Sequence, residues 1–122
     1  MFNKLEKYDI QKLESYWSNK KLLYKELKFR EDELITLGTT PSQSKNILMN
    51  DRKYQHIKTV IETIEDIYST LDDDTKQIVD MRYKQDHNTW EDIAEELFMK
   101  KTKALRIRDK LLTKTAQLIG WL

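Results

Sequence analysis

The chain has 122 residues, 35% of them charged, with 22 Lys and Arg against 21 Asp and Glu, and it holds only two Gly, one Pro and no Cys. An all-β fold needs many turns rich in Gly and Pro, so we expect an all-α fold. The length of the chain is that of one domain. The lack of Cys excludes disulfides, a thiol nucleophile and Cys-based metal sites. No long apolar run and no secretory signal stretch is seen, so we expect a cytoplasmic protein with no membrane partner.

The first third of the chain predicts one long amphipathic helix. Neither Pro nor Gly interrupts residues 3–37, where apolar residues recur at helical spacing. Within this helix, one series of residues is spaced alternately three and four positions apart, which is the spacing of a coiled-coil seam. Lys20 and Arg30 are the polar interruptions of this series. We interpret residues 1–37 as an oligomerisation element for a homodimer or higher homo-oligomer, with packing on the chain's own domain as the open alternative. The candidate oligomerisation residues are Leu13, Tyr16, Leu23, Leu27, Leu34 and Leu37.

The remaining chain predicts a linker and then a helical domain. Residues 38–50 contain the single Pro and one Gly and predict the linker. Within residues 51–122, Asp72 and Thr89 are placed as helix N-caps, and Gly120 suits a left-handed helix end. A polar turn is expected over residues 86–88. The predicted helices are Asp51–Leu71, Asp72–Tyr83, Trp90–Phe98 and Lys101–Ile119.

Charge is distributed unevenly along this domain. Residues 72–96 carry three basic and nine acidic side chains, whereas residues 99–114 carry seven basic ones and one acidic one, Asp109. So dense a basic segment is typical of a chain that binds a polyanion, although a solvated lysine-rich helix face is the alternative. On a helical wheel the last helix has one apolar arc, formed by Ala104, Ile107, Leu111, Leu118 and Leu122.

Polar and cationic side chains gather on the other side of the last helix. Two short, tightly joined helices with such an exposed face have the arrangement of a DNA-binding helix-turn-helix, here at about residues 89–119. Lys103, Arg106 and Lys110 are the candidates for base edges, and phosphate contact is expected at the helix start. Arg108 is expected to pair with a carboxylate such as Glu95 or Glu96, with phosphate contact as the alternative. The candidate DNA-binding residues are Lys100, Lys101, Thr102, Lys103, Arg106, Lys110, Thr113 and Gln117.

Three segments carry a family resemblance. They are residues 71–83 (LDDDTKQIVDMRY), residues 89–97 (TWEDIAEEL) and residues 106–111 (RIRDKL). They resemble the carboxy-terminal region four of sigma factors and, more closely, phage late-gene transcription regulators of the RinA/ArpU type. The resemblance covers residues 55–122 and implies a transcription regulator that binds double-stranded DNA, with RNA polymerase as a further partner. It departs from the family at Phe98 and Lys100, where a small residue and a capping Ser are usual, and at Lys103, where Thr is often found.

Other chemistries find little support in the sequence. His56 and His87 lie in different predicted elements without Cys partners, so no metal site is expected. Neither G-x-x-x-x-G-K nor G-x-G-x-x-G occurs, and no cofactor is expected. We expect a non-enzyme that activates phage late or packaging genes by reading DNA with its last helix. The alternative is an adaptor that grips RNA polymerase or another acidic partner, and the sequence does not give the operator or the regulated gene.

Overall fold

The structure is a computed structural model that describes residues 5–38, 40–84 and 88–122. Every regular element in this part of the chain is helical, so the expected all-α class is confirmed. The predicted start of the first helix near Asn3, and His87 with most of the polar turn at 86–88, lie outside the described residues. The elements are α1 (Lys7–Ser18), α2 (Lys20–Ile35), α3 (Pro41–Asn50), α4 (Arg52–Thr70), α5 (Asp73–Val79), a π-helical turn (Asp80–Lys84), α6 (Trp90–Glu96) and α7 (Lys101–Leu118).

The four helices predicted in the second half of the chain are confirmed, and local chemistry caps several of their ends. Each of α4, α5 and α6 begins after a side chain that accepts a hydrogen bond from a backbone N–H three residues later. At the far end of α7, Gly120 has φ +91°, as a left-handed helix end requires. The capping distances are 2.8 Å from Tyr54 N to Asp51 Oδ2, 2.7 Å from Thr75 N to Asp72 Oδ1 and 3.1 Å from Asp92 N to Thr89 Oγ1.

The prediction of one uninterrupted helix over residues 3–37 is wrong. The helix is broken at Asn19, which has φ −111° and ψ 30° between α1 and α2. Asn is a weak helix former because its side chain competes for backbone hydrogen bonds. The break lets the two halves pack in different directions, with α1 against α7 and the π-helical turn, and α2 against α3 and α4.

The prediction of a linker over residues 38–50 is also wrong, because most of that segment is α3. Pro41 occupies the first turn, where its missing N–H costs nothing. Thr40 and Gln43 form a capping box, in which Gln43 N donates to Thr40 Oγ1 at 3.2 Å and Thr40 N donates to Gln43 Oε1 at 3.2 Å. The T-x-x-Q pattern was thus a helix start rather than part of a loop.

Most side chains of the predicted oligomerisation seam pack against other helices of the same chain. Leu13 is 0% exposed and Tyr16 9% exposed in the main core with α4 and α7, and Leu34 is 6% exposed beside α4. Leu23 and Leu27 are half-buried, and only Leu37, at 70%, is well exposed. The open alternative, packing on the chain's own domain, is therefore the one observed for Leu13, Tyr16 and Leu34, and their assignment to a seam between protomers is wrong.

A hydrogen bond between buried side chains fixes α1 to α7. Trp17 Nε1 donates to Thr115 Oγ1 at 3.1 Å, and the same hydroxyl donates to Leu111 O at 2.8 Å. Thr115 is 0% exposed and Trp17 5% exposed. Water cannot replace either partner at this depth, so the Trp17 indole N–H depends on the threonine hydroxyl.

We expect Thr115→Val to lower the free energy of unfolding by about 1–3 kcal/mol, because valine keeps the shape but leaves the Trp17 N–H buried without an acceptor. Chemical denaturation measures the change. The matched control is Thr113→Val on the same helix, where the half-exposed side chain should shift stability by less than about 0.5 kcal/mol. Equal stability of the Thr115→Val variant and the parent would contradict the assigned hydrogen bond.

An ion pair joins α2 to the junction of α3 and α4. Arg30 donates to both carboxylate oxygens of Asp51, at 2.7 Å from Nη2 and 3.1 Å from Nε. The same carboxylate caps α4 through Tyr54 N. The Arg30 hydrogen bonds, followed by that of Tyr54, hold the pKa of Asp51 below its ordinary value of 3.8. Arg30, a polar interruption of the predicted seam, thus has a partner within the chain.

The lowered pKa of Asp51 predicts acid sensitivity. A carboxylate whose pKa is lower in the folded state stabilises the fold fully above its ordinary value of 3.8 and loses that contribution as pH falls through the folded value. We expect the melting temperature of the parent to decrease as the pH is lowered below about 4. The melting temperature of Asp51→Asn should decrease less over the same range. Thermal melts of the two proteins across acidic pH measure it, and parallel curves would contradict it.

Candidate nucleic-acid interface

The predicted DNA-binding segment consists of α6 and α7, joined by residues 97–100. α6 closes with paired backbone bonds, from Met99 N to Ala94 O at 2.9 Å and from Phe98 N to Glu95 O at 3.3 Å. This pattern is a Schellman motif, whose turning residue has positive φ. That residue is Phe98, with φ +56°. The turn is therefore short and fixed by hydrogen bonds, and it sets the start of α7 directly against the end of α6.

The buried side of α7 differs in part from the predicted apolar arc. Ala104 and Leu111 are buried as predicted, and Ile107 is half-buried. Leu118 is 53% exposed, so its assignment to the core is wrong. The buried strip is centred further round the helix and consists of Ala104, Leu111, Leu112, Thr115 and Ala116. The small residues in this strip allow α1 and α4 to pack close to α7.

The outer side of α7 carries the predicted DNA-binding residues, and we call it the basic face. All eight are exposed except Thr113, which is half-buried. Within the part of the chain that the structure describes, no carboxylate lies within 4.0 Å of the cations of Lys100, Lys103, Arg106, Lys110 or Lys114. Arg106 and Lys110, one turn apart, lie opposite the buried strip. The exposed residues of this face are Lys100, Lys101, Thr102, Lys103, Arg106, Lys110, Lys114 and Gln117.

Two cations of the segment are already paired. Lys101 forms an ion pair with Glu91 of α6, and the lysine hydrogen bond lowers the pKa of Glu91. Arg108 pairs with a carboxylate as expected, but that carboxylate belongs to its neighbour Asp109, 2.7 Å from Nη2 to Oδ1, and not to Glu95 or Glu96. Since Asp109 is one residue away in sequence, the shorter reach decides the pairing.

The start of α7 has no side-chain cap. Lys100 occupies the N-cap position in extended conformation, and its side chain accepts no hydrogen bond from the helix. By contrast, α3, α4, α5 and α6 are all capped by a side-chain oxygen. Free N–H groups and the positive end of the helix dipole favour an anion, and the lysines nearby add to that preference.

A groove of about 710 Å³ runs between the basic face and the α4–α5 junction. Lys103, Lys110 and Lys114 line one side, Asp72 lies on the other, and Phe98 lines the groove at the turn. The pKa of Asp72 is lowered chiefly by the Thr75 N–H that it caps and to a smaller extent by the charge of Lys110. The charged residues that border the groove are thus three lysines and two aspartates, and the rest of its lining is uncharged.

Comparison with known proteins gives a family. A family model described as "Protein of unknown function (DUF722)" matches residues 3–117. The chain belongs to the DUF722 family. The match runs from before α1 into the last turn of α7, the span within which α1 and α7 share one core. No curated protein and no solved structure matches the chain.

Two features of this DUF722 chain were not assigned a role from the sequence. Lys114 lines the groove beside Lys110, one turn further along α7, and its spacing of four residues was the available signal. In the sequence, Phe98 stands out only as a departure from the pattern of the resembled family. In the structure it is 97% exposed and has a positive φ. An apolar residue in a turn between two helices was the only sequence signal for it.

Other site types find no support in the geometry. The described residues contain no group of three or more His, Cys, Asp or Glu side chains placed to hold a metal ion. In the same residues no helix is long and apolar enough to cross a membrane.

Proposed function

We propose that this DUF722 chain is a DNA-binding transcription regulator that places the basic face of α7 in the major groove of double-stranded DNA. The observation that carries the proposal is the set of cations on that face without ion-pair partners among the described residues. Such a cluster of positive charges adds little to the stability of the fold, because like charges repel one another. A polyanion partner turns the repulsion into binding energy.

The arrangement of α6 and α7 supports DNA rather than any other polyanion. An α-helix fits the major groove, and in a helix-turn-helix the first turns of the second helix meet the base edges. Lys103, Arg106 and Lys110 lie on the outer side of those turns, and Arg106 has the planar fork that recognises guanine. The uncapped helix start with Lys100 suits a backbone phosphate. The resemblance to phage late-gene regulators supports the same proposal.

The direct test is a binding titration at several salt concentrations, using DNA from beside the protein's own gene and a shuffled duplex as competitor. If α7 makes roughly four to six phosphate contacts per protomer, the logarithm of affinity should fall against the logarithm of salt with a slope of about −0.9 per contact. The specific duplex should also outcompete the shuffled one. An affinity unchanged between low and physiological salt would contradict the proposal.

A second candidate function is a protein adaptor for RNA polymerase or another partner, and an observation on α2 favours it. Leu22 and Phe29 are 52% and 68% exposed and lie seven residues apart, two turns along α2. Exposed apolar residues in such a row are typical of a protein-binding surface. The same row is available for self-association. Light scattering of the parent and of Phe29→Asp tests that option, because only a dimer formed through α2 would dissociate in the variant.

A further inference from the structure

Phe98, in the turn between α6 and α7, combines two unfavourable features. Its side chain is 97% exposed, the highest value among the large apolar residues that the structure describes as exposed. Its backbone has φ +56°, a left-handed conformation that residues other than Gly and Asn rarely adopt. Glycine would suit the Schellman turn better on both counts. Phe98 therefore adds nothing to the fold that glycine would not supply.

Several lysines lie near Phe98. Lys100 and Lys101 follow it at the start of α7, and Lys103 and Lys110 line the same groove as Phe98, which also has Asp72 and Asp74 in its lining. An apolar ring among exposed lysines matches the surface of duplex DNA, where phosphates border the apolar faces of sugars and the methyl groups of thymines. A phenylalanine is one of the side chains that contact the thymine methyl in the major groove. Strained residues kept at a surface are a feature of binding sites.

We propose that Phe98 is a DNA-contact residue that packs against a thymine methyl group at the edge of the major groove. This inference rests on the proposed function and adds a specificity-determining contact to it. The contact is apolar, so salt does not weaken it, in contrast to the lysine contacts around it. Burial of about a third of the ring corresponds to roughly a tenfold gain in affinity.

The test compares Phe98→Gly and Phe98→Asn with the parent, since both residues tolerate the left-handed conformation. Tyr8→Ala is the matched control, because it removes another strongly exposed aromatic side chain, on α1 and outside both the basic face and the α2 row. We expect Phe98→Gly to melt a few degrees higher than the parent. Both Phe98 variants should bind the specific duplex about tenfold more weakly, with the salt slope unchanged. The Tyr8→Ala control should bind like the parent.

A second arm replaces each thymine of the bound duplex by deoxyuridine, which lacks the methyl group. One such replacement should weaken the parent but leave Phe98→Gly unaffected. If the parent binds with the expected salt slope and the Phe98 variants bind within twofold of it, the Phe98 contact is refuted while the proposed function stands. A salt slope that changes in both variants would also overturn it, because Phe98 would then act by positioning the lysines. If the parent binds no DNA, both proposals fail together.

Discussion

Truncating Leu13 to alanine should cost about 2–5 kcal/mol of unfolding free energy, one of the largest effects expected of any single change in this chain. Leu13 is 0% exposed and packs in the main core, so its removal leaves a cavity that close-packed neighbours fill only in part. Chemical denaturation at two protein concentrations measures the cost. We expect the same loss at both, because the contacts of Leu13 lie within one chain.

Leu37→Ala is the matched control for that experiment. Both leucines belong to the seam predicted from the sequence, but Leu37 is 70% exposed. Its truncation should change stability by less than about 0.5 kcal/mol. If Leu13→Ala were as stable as the parent, or if its cost appeared only at low protein concentration, α1 would have to be an assembly element rather than part of the core.

Removing three cations from the basic face should have the largest effect on function. Each of Lys103, Arg106 and Lys110 is exposed and makes no ion pair with the described residues. The triple alanine variant should keep its stability within about 0.5 kcal/mol of the parent per site. Its affinity for the specific duplex at physiological salt should fall on the order of a hundredfold or more, and the salt slope should become shallower.

The control for that variant removes three exposed lysines elsewhere, Lys25, Lys45 and Lys58 on α2, α3 and α4. It lowers the net charge by the same amount, so a general electrostatic attraction would weaken both variants equally. We expect the control to bind within a few-fold of the parent. Equal losses in the two triple variants would show that α7 has no special role in DNA binding.

Local chemistry explains which parts of the fold were predictable. Asp51, Asp72 and Thr89 cap helices with their own side chains, and the signals for these caps lie within four residues of sequence. The break at Asn19 depends instead on two distant partners, since α1 and α2 pack on different helices. No Pro or Gly marks it. The start of α3 has a local signal in the Thr40–Gln43 capping box, although Gly38 and Pro41 beside it are residues typical of loops.

The same division holds for the candidate site. The basic face could be predicted because helical periodicity fixes which side chains share a side, and seven of its eight predicted residues are exposed. The pairing of Lys101 with Glu91 could not, because it depends on how α6 approaches α7. The positive φ of Phe98 was equally hidden, since sequence statistics favour Gly or Asn at that position.

Nuclear magnetic resonance mapping of a DNA titration is the most direct test of DNA binding by α7. Backbone amide signals of the labelled protein would be followed as the specific duplex is added at physiological salt. We expect the shifts to concentrate in residues 97–114, with the largest at the start of α7, and α2 to stay unchanged. Shifts confined to α2 and α3, or none at any DNA concentration, would contradict the assignment of α7 as the DNA-binding helix.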